Sequence, residues 1–137
     1  MTRIDFYQLT APQHSHDHVV CQLCQKAWEN KQYTLLLTQD VQQTAHLDRQ
    51  LWVFDDDSFV PHDAQESTEF KSPILIQSEA APRGDRQLLI NLNSTIPGYF
   101  AQFERVIELV TEQNRQQARE HYNFYRERGY PLNHHTL

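Results

Sequence analysis

Several short runs of apolar residues constrain the fold of this chain more than any other feature. The clearest are Y-T-L-L-L at 33–37, P-I-L-I-Q at 73–77 and Q-L-L-I-N-L at 87–92. Runs of this kind are typical of strands buried on both faces, as in a parallel sheet covered by helices. We predict a strand at each, and another at 4–9. The run R-V-I-E-L-V at 105–110 is ambiguous, but its β-branched residues and short length favour a strand.

Amphipathic helices are predicted between these strands. Residues 18–30 have apolar side chains spaced by three and four positions, which is the period of a helix with one buried face. Asp40 begins a D-x-x-Q sequence of the capping-box kind, and we predict that it opens a second helix. The apolar positions of this second helix are Val41, Ala45, Leu47, Leu51 and Trp52.

A last helix is predicted near the carboxyl end, at about 112–128. Thr111 is the candidate for its cap, and Gly129 followed by Pro131 is the signal that ends it. The sequence between the second helix and residue 70 has no sustained period, and we interpret it as a loop with one short strand near Phe59. Strands that alternate with helices predict a single three-layer α/β domain, residues 1–137, around a largely parallel sheet.

Length, charge and motif content exclude several classes of protein. A chain of 137 residues is normally one domain, and its formal net charge of -6 argues against sequence-independent nucleic-acid binding through a basic surface. Neither G-x-x-x-x-G-K-[ST] nor G-x-G-x-x-G is present, so a phosphate-binding loop is not expected. No apolar run approaches the roughly 20 residues that span a bilayer, and the N-terminus lacks the pattern of a secretory signal. We therefore expect a cytoplasmic protein without membrane contact.

The predicted C-terminal helix has a cationic stripe. At 3.6 residues per turn, Arg115, Arg119 and Arg126 fall within about 40° of one another, and Tyr122 borders them. Guanidinium groups bind carboxylates through paired hydrogen bonds, and an aromatic ring adds apolar contact. The stripe therefore suits a short acidic peptide, especially one that ends in a free carboxylate. The alternative is an ordinary solvated helix face, because Arg, Gln and Glu are good helix formers.

The segment 14–24, H-S-H-D-H-V-V-C-Q-L-C, is a second candidate for chemistry. If a metal binds there, as in a small metal-dependent hydrolase, His18, Cys21 and Cys24 are the expected ligands. However, structural zinc motifs usually gather ligands from two separate places, and no second motif follows. Cys24 also lies on the apolar face of the predicted helix, where cysteine behaves as a small hydrophobe. We therefore expect no metal, no cofactor and no catalytic residue.

Motifs along nearly the whole chain resemble those of one protein family. They are F-Y at 6–7, T-L-L-L at 34–37, L-D-x-x-L-W at 47–52, S-F-V-P-H at 58–62, P-I-L-I at 73–76, L-L-I-N-L at 88–92 and A-R-E-x-Y-x-x-Y-R-x-x-G-Y at 118–130. The combination of L-D-x-x-L-W and S-F-V-P-H with A-R-E-x-Y-x-x-Y-R is specific. The chain resembles the chi subunit of bacterial DNA polymerase III, a small accessory protein of the clamp-loader assembly.

The resemblance implies a non-catalytic α/β domain related to nucleotide-binding folds but without the phosphate loop. It implies two protein partners: the psi subunit, which joins chi to the clamp loader, and the acidic C-terminal tail of single-stranded DNA-binding protein. DNA is then contacted only indirectly, and direct binding of single-stranded DNA is the alternative. The residues that the resemblance assigns to the tail site are Trp52, Val110, Arg115, Arg119 and Tyr122, with Trp52 and Val110 as an apolar floor.

The chain departs from the family pattern within the last helix. Asn123 follows Tyr122 at a position where the family often has a basic residue, and Arg126 is the candidate to supply that charge from the next turn. We include both Asn123 and Arg126 in the predicted tail site. His121 stands where the resemblance leads us to expect an arginine.

For the psi surface, the resemblance offers only the S-F-V-P-H segment. Phe59, Val60 and Pro61 are therefore the candidate contacts. In a loop, such apolar residues either cover the core or form an exposed patch for a partner, and the sequence leaves both interpretations open.

Overall fold

The computed structural model of the chain describes residues 1–10, 15–54, 60–65, 71–78, 82 and 84–136. Its strands form one sheet in the order β3-β4-β2-β5-β6-β1-β7, and every neighbouring pair is parallel. The strands are β1 Arg3–Gln8, β2 Thr34–Leu37, β3 His62–Asp63, β4 Ile74–Gln77, β5 Leu88–Asn91, β6 Arg105–Val110 and β7 Leu132–Thr136. The helices are α1 His16–Glu29, α2 Val41–Val53 and α3 Arg115–Glu127, with a 3-10 turn at Phe100–Gln102.

The sheet separates two apolar layers, because successive strand residues point to opposite faces. Leu36 of β2 and Ile76 of β4 pack with α1 and α2 in one cluster. Leu35 of β2 and Leu75 of β4 pack on the other face, with Tyr125 of α3 and the 3-10 turn. The three-layer α/β fold predicted from the sequence is therefore confirmed. Among the described residues, no helix has the length and hydropathy that a membrane span requires.

The final helix begins later than predicted. α3 starts at Arg115 after Asn114, so Thr111 is not its cap. The Asn114 side chain instead accepts a hydrogen bond from the Thr111 backbone N–H (2.7 Å) and donates one to the Leu109 carbonyl (2.9 Å). These bonds stabilise the turn between β6 and α3. The predicted end is confirmed, because Gly129 adopts the left-handed backbone conformation, with φ of 80°, that ends many helices.

β7 was not predicted from the sequence. Its residues, L-N-H-H-T, are mostly polar and exposed, as befits an edge strand. Asp5, which is 2% exposed, binds it to the sheet. The Asp5 carboxylate accepts hydrogen bonds from His135 Nε2 (3.2 Å) and from Arg105 Nε (2.5 Å), and the ring of His135 stacks on Tyr7 at 4.7 Å. Long-range side-chain contacts thus place this strand.

The apolar face predicted for α2 is only partly correct. Leu47 and Leu51 are buried, but Val41 and Trp52 are 71% and 61% exposed, and Ala45 is exposed as well. At about 100° per residue, the apolar positions of α2 form two neighbouring stripes rather than one. Only the stripe that contains Leu47 and Leu51 faces the sheet.

A buried carboxylate joins α3 to the sheet. Glu108 of β6, 4% exposed, accepts hydrogen bonds from His121 Nδ1 (3.0 Å), the Tyr125 hydroxyl (2.8 Å) and Asn91 Nδ2 (2.9 Å). His121 Nε2 lies 3.1 Å from the Ser94 carbonyl oxygen. Both ring nitrogens face acceptors, so only the doubly protonated imidazolium donates both hydrogen bonds.

The pKa of His121 reflects this environment. Burial by itself lowers the pKa, but the hydrogen bond and negative charge of Glu108, with smaller contributions from the Ser94 carbonyl and Glu120, outweigh burial and raise it above the ordinary value. A raised folded-state pKa means that the ion pair stabilises the fold fully below the unfolded-state pKa of about 6.5. That stabilisation is lost as pH rises through the folded-state pKa.

We predict that His121→Arg removes this pH dependence. As pH rises through the folded-state pKa of His121, the native chain loses the ion pair with Glu108, whereas the arginine of the variant keeps its charge. The free energy of unfolding of the native chain should therefore fall by about 1–3 kcal/mol relative to that of the variant. Urea titrations of both proteins from about pH 6 to pH 9 measure the difference. Parallel stability curves for the two proteins would contradict this role of His121.

Candidate functional site

A groove of about 370 Å³ lies between α3 and one face of the sheet. Gln8 and Val110, two of its lining residues, are the last residues of β1 and β6. The carboxyl ends of parallel strands are where α/β proteins commonly bind ligands. The groove is lined by Phe6, Gln8, Val110, Arg115, Ala118, Arg119, Tyr122 and His134.

Aromatic and aliphatic side chains form the inner surface of the groove. The ring of Tyr122 is half-buried and meets the ring of Phe6 edge to face, at 5.4 Å between centroids. Phe6 is 2% exposed and also packs against Tyr125 at 6.2 Å. Val110 is half-buried against the same apolar cluster. Tyr122 is therefore held in place by the core while part of its surface lies open to the groove.

The charge of the groove is positive. Arg115 and Arg119 are exposed side chains one turn apart on α3, so both face the same space. Neither guanidinium forms an ion pair with another residue in the described part of the chain. None of the described residues that line the groove is a carboxylate. This arrangement is suited to a ligand that supplies carboxylates together with an apolar side chain.

The structure brings together four of the residues assigned to the tail site, namely Val110, Arg115, Arg119 and Tyr122. Asn123 and Arg126, in contrast, do not line the groove. Asn123 is half-buried and turned about 100° around the helix from Tyr122. Arg126 shares the angular stripe, but it lies roughly 16 Å along the helix axis from Arg115, beyond the end of the groove.

Trp52 is not part of the groove. Its ring contacts His62 of β3 edge to face at 5.5 Å, and α2 packs on the face of the sheet opposite α3. β3 lies four strand positions from β6, roughly 19 Å at the usual strand spacing. The expectation that Trp52 and Val110 share one apolar floor is therefore wrong, and Phe6 occupies that role beside Val110.

The psi candidates divide between the core and the surface. Val60 is fully buried in the cluster under α1 and α2, so its side chain cannot contact a partner in this conformation. Pro61 is half-buried, and Phe59 lies outside the described residues. The large exposed apolar side chains nearby are Trp52 and Val53, which are 61% and 71% exposed.

The candidate metal ligands do not form a site. Cys21 and Cys24 are buried in the core cluster of α1, and burial raises the pKa of both thiols, that of Cys21 to about 11. His18 is exposed and its ring lies 5.4 Å from that of Phe54. His14, the first residue of the segment, lies outside the described residues. Elsewhere in the described ranges, no three metal-ligating side chains come together.

Sequence reasoning missed Phe6, Gln8 and His134 as groove residues. They belong to β1 and β7, and the register that pairs Phe6 with His134 joins segments at opposite ends of the chain. The F-Y motif at 6–7 contributes to the family resemblance, but nothing in its local sequence indicates contact with α3.

Comparison with known proteins identifies the family. Residues 1–133 match the family model described as DNA polymerase III chi subunit, HolC. The DNA polymerase III subunit chi of Pseudomonas aeruginosa is 40% identical over 100% of this chain and 98% of its own length. The subunits chi of Haemophilus influenzae and Escherichia coli are 32% and 31% identical, each over 85% of this chain and over 83% and 82% of their own lengths. The chain belongs to the DNA polymerase III chi subunit family.

Proposed function

We propose that this protein is a non-catalytic bridge in the DNA polymerase III holoenzyme, which links the clamp loader to the C-terminal tail of single-stranded DNA-binding protein. The observation that carries the proposal is the pair of uncompensated guanidinium groups, Arg115 and Arg119, beside the half-buried ring of Tyr122. A peptide tail that is acidic and ends in an apolar residue with a free carboxylate is complementary to both features.

In the proposed complex, Arg119 and Arg115 bind the terminal carboxylate and the acidic side chains of the tail. Tyr122, Val110 and the edge of Phe6 receive the apolar side chain. Because a short peptide buries little surface, the affinity should be modest, with Kd on the order of micromolar. Weak, reversible contacts of this kind are useful where DNA coated with the binding protein presents many tails, since rebinding is then rapid.

The second partner, the psi subunit, is proposed to bind on the opposite face of the sheet. Trp52 and Val53 form an exposed apolar patch at the end of α2, and the ring of Trp52 contacts that of His62, the residue that follows Pro61. Val60 supports this region from within the core, and Phe59, which lies outside the described residues, stays a candidate psi contact on the strength of the sequence resemblance. Because this patch and the groove lie on different faces, both partners can be bound at once, as a bridge requires.

The two alternative functions receive no specific support. A hydrolase that uses the 14–24 segment would need Cys24 as a metal ligand, but its thiol is buried in the core and is not readily available as a thiolate. A direct single-stranded DNA binder would need a basic groove with several phosphate contacts, whereas the formal net charge is -6.

We predict that Arg119→Ala weakens binding of an acidic peptide with a free C-terminal carboxylate by at least about tenfold, because the variant loses a charged hydrogen-bond partner. Titration of a fluorescein-labelled peptide, followed by anisotropy, measures Kd. Arg126→Ala is the matched control, since it removes the same charge from the same helix outside the groove and should change Kd by less than about twofold. Equal effects of the two variants would show that only net charge matters.

We also predict that the two partner surfaces are independent. Trp52→Ala should weaken capture of the psi subunit, because a large exposed aromatic residue is a frequent interface anchor, and should leave the peptide Kd unchanged. Arg119→Ala should do the reverse. Co-purification with psi and the peptide titration, applied to both variants, measure the two effects. Loss of peptide binding in Trp52→Ala would contradict the assignment of Trp52 to the second face.

A further inference from the structure

His134 forms part of the groove although it comes from a different element than the arginines. In β7 the side chains alternate, so His134 points to the α3 face and His135 to the opposite face. His134 is paired in register with Phe6, the residue that supports Tyr122. The imidazole therefore lies on the wall of the groove that faces Arg115 and Arg119.

The imidazole of His134 has no partner within the described part of the chain. It is exposed, and it takes part in no hydrogen bond or ion pair there, whereas His135 binds Asp5 and stacks on Tyr7. The charged or titratable groups that share the groove with it are the guanidiniums of Arg115 and Arg119 and the phenol of Tyr122, all on α3. The neighbouring strands contribute only the uncharged side chains of Phe6, Gln8 and Val110.

An acidic peptide changes this balance of charge. Histidine is the side chain that ordinarily gains its positive charge between pH 8 and pH 5. A ligand with several carboxylates brings negative charge and a hydrogen-bond acceptor to the ring of His134, and an opposite charge nearby favours the charged form of a histidine. A peptide with acidic side chains upstream of its terminal carboxylate can extend from the arginines to the β7 wall, where His134 stands.

We propose that His134 is a third, pH-dependent cationic contact of the groove, which binds an acidic side chain of the peptide and takes up a proton when the peptide binds. This inference rests on the proposed peptide-binding function. It also predicts that His134 strengthens the preference of the groove for peptides with acidic side chains upstream of the terminal carboxylate. Affinity for such peptides rises as pH falls.

The test is the peptide titration at about pH 6 and about pH 8, a range in which the peptide carboxylates, with pKa values near 4, stay ionised. The native chain should bind about two- to fivefold more tightly at the lower pH, the range expected for one added exposed ion pair. His134→Gln should lose this pH dependence and bind nearly as the native chain does at pH 8. His134→Lys should bind tightly at both pH values.

His135→Gln is the matched control. It changes the neighbouring histidine on the other face of the same edge strand, and glutamine can still donate a hydrogen bond to Asp5. This variant should keep the pH dependence of the native chain.

The outcomes distinguish the two proposals. If Arg119→Ala weakens peptide binding but His134→Gln retains the full pH dependence, the role of His134 is overturned while the proposed function stands. If Arg119→Ala binds the peptide as the native chain does, or if the native chain does not bind it at all, the proposed function itself fails. If replacing the upstream acidic residues of the peptide by their amides weakens binding to the native chain and to His134→Gln by the same factor at about pH 6, the inference is also overturned, because those residues then bind the arginines alone.

Discussion

The candidate groove depends on the buried carboxylate of Glu108. An unpaired carboxylate at this depth would be strongly unfavourable, so the positions of Asn91, His121 and Tyr125 are tied to it by hydrogen bonds. These partners come from β5 and α3, and His121 extends the network to the loop after β5 through the Ser94 carbonyl. Because Tyr122 follows His121 directly, the network also sets where α3 presents its ring and its arginines.

The opposite wall depends on a second buried carboxylate, Asp5. Its hydrogen bonds to Arg105 and His135 join β1 to the strand on either side, and they attach an edge strand that has little apolar surface of its own. One face of β7 is used for this attachment, which leaves His134 available on the other. The two walls of the groove are thus each held by a buried carboxylate, and a groove that exists before the peptide arrives lowers the entropic cost of binding it.

Local signals were sufficient for most of the secondary structure. The runs at 33–37, 73–77 and 87–92 contain the buried parallel strands β2, β4 and β5. They could be predicted because each run is apolar at successive positions and too short for a helix. β7 was not predicted because nothing in the local sequence L-N-H-H-T favours a strand. Its conformation depends on pairing with β1 and on the hydrogen bond between His135 and Asp5. Trp52 lies apart from Val110 for a related reason: the resemblance placed both in one apolar floor, but the face of the sheet that α2 covers is decided by packing of Leu47 and Leu51.

The sequence by itself determined the α/β alternation, the family and the cationic stripe of α3, because each of these depends on residues that lie close together along the chain. The angular relation of Arg115, Arg119 and Tyr122 follows from helix geometry alone. Only the tertiary structure decided that the stripe faces Phe6 and His134 rather than Trp52. That choice depends on strand order and on the face to which each helix packs, and those are set by contacts between residues about 100 or more positions apart, such as Asp5 with Arg105 and His135.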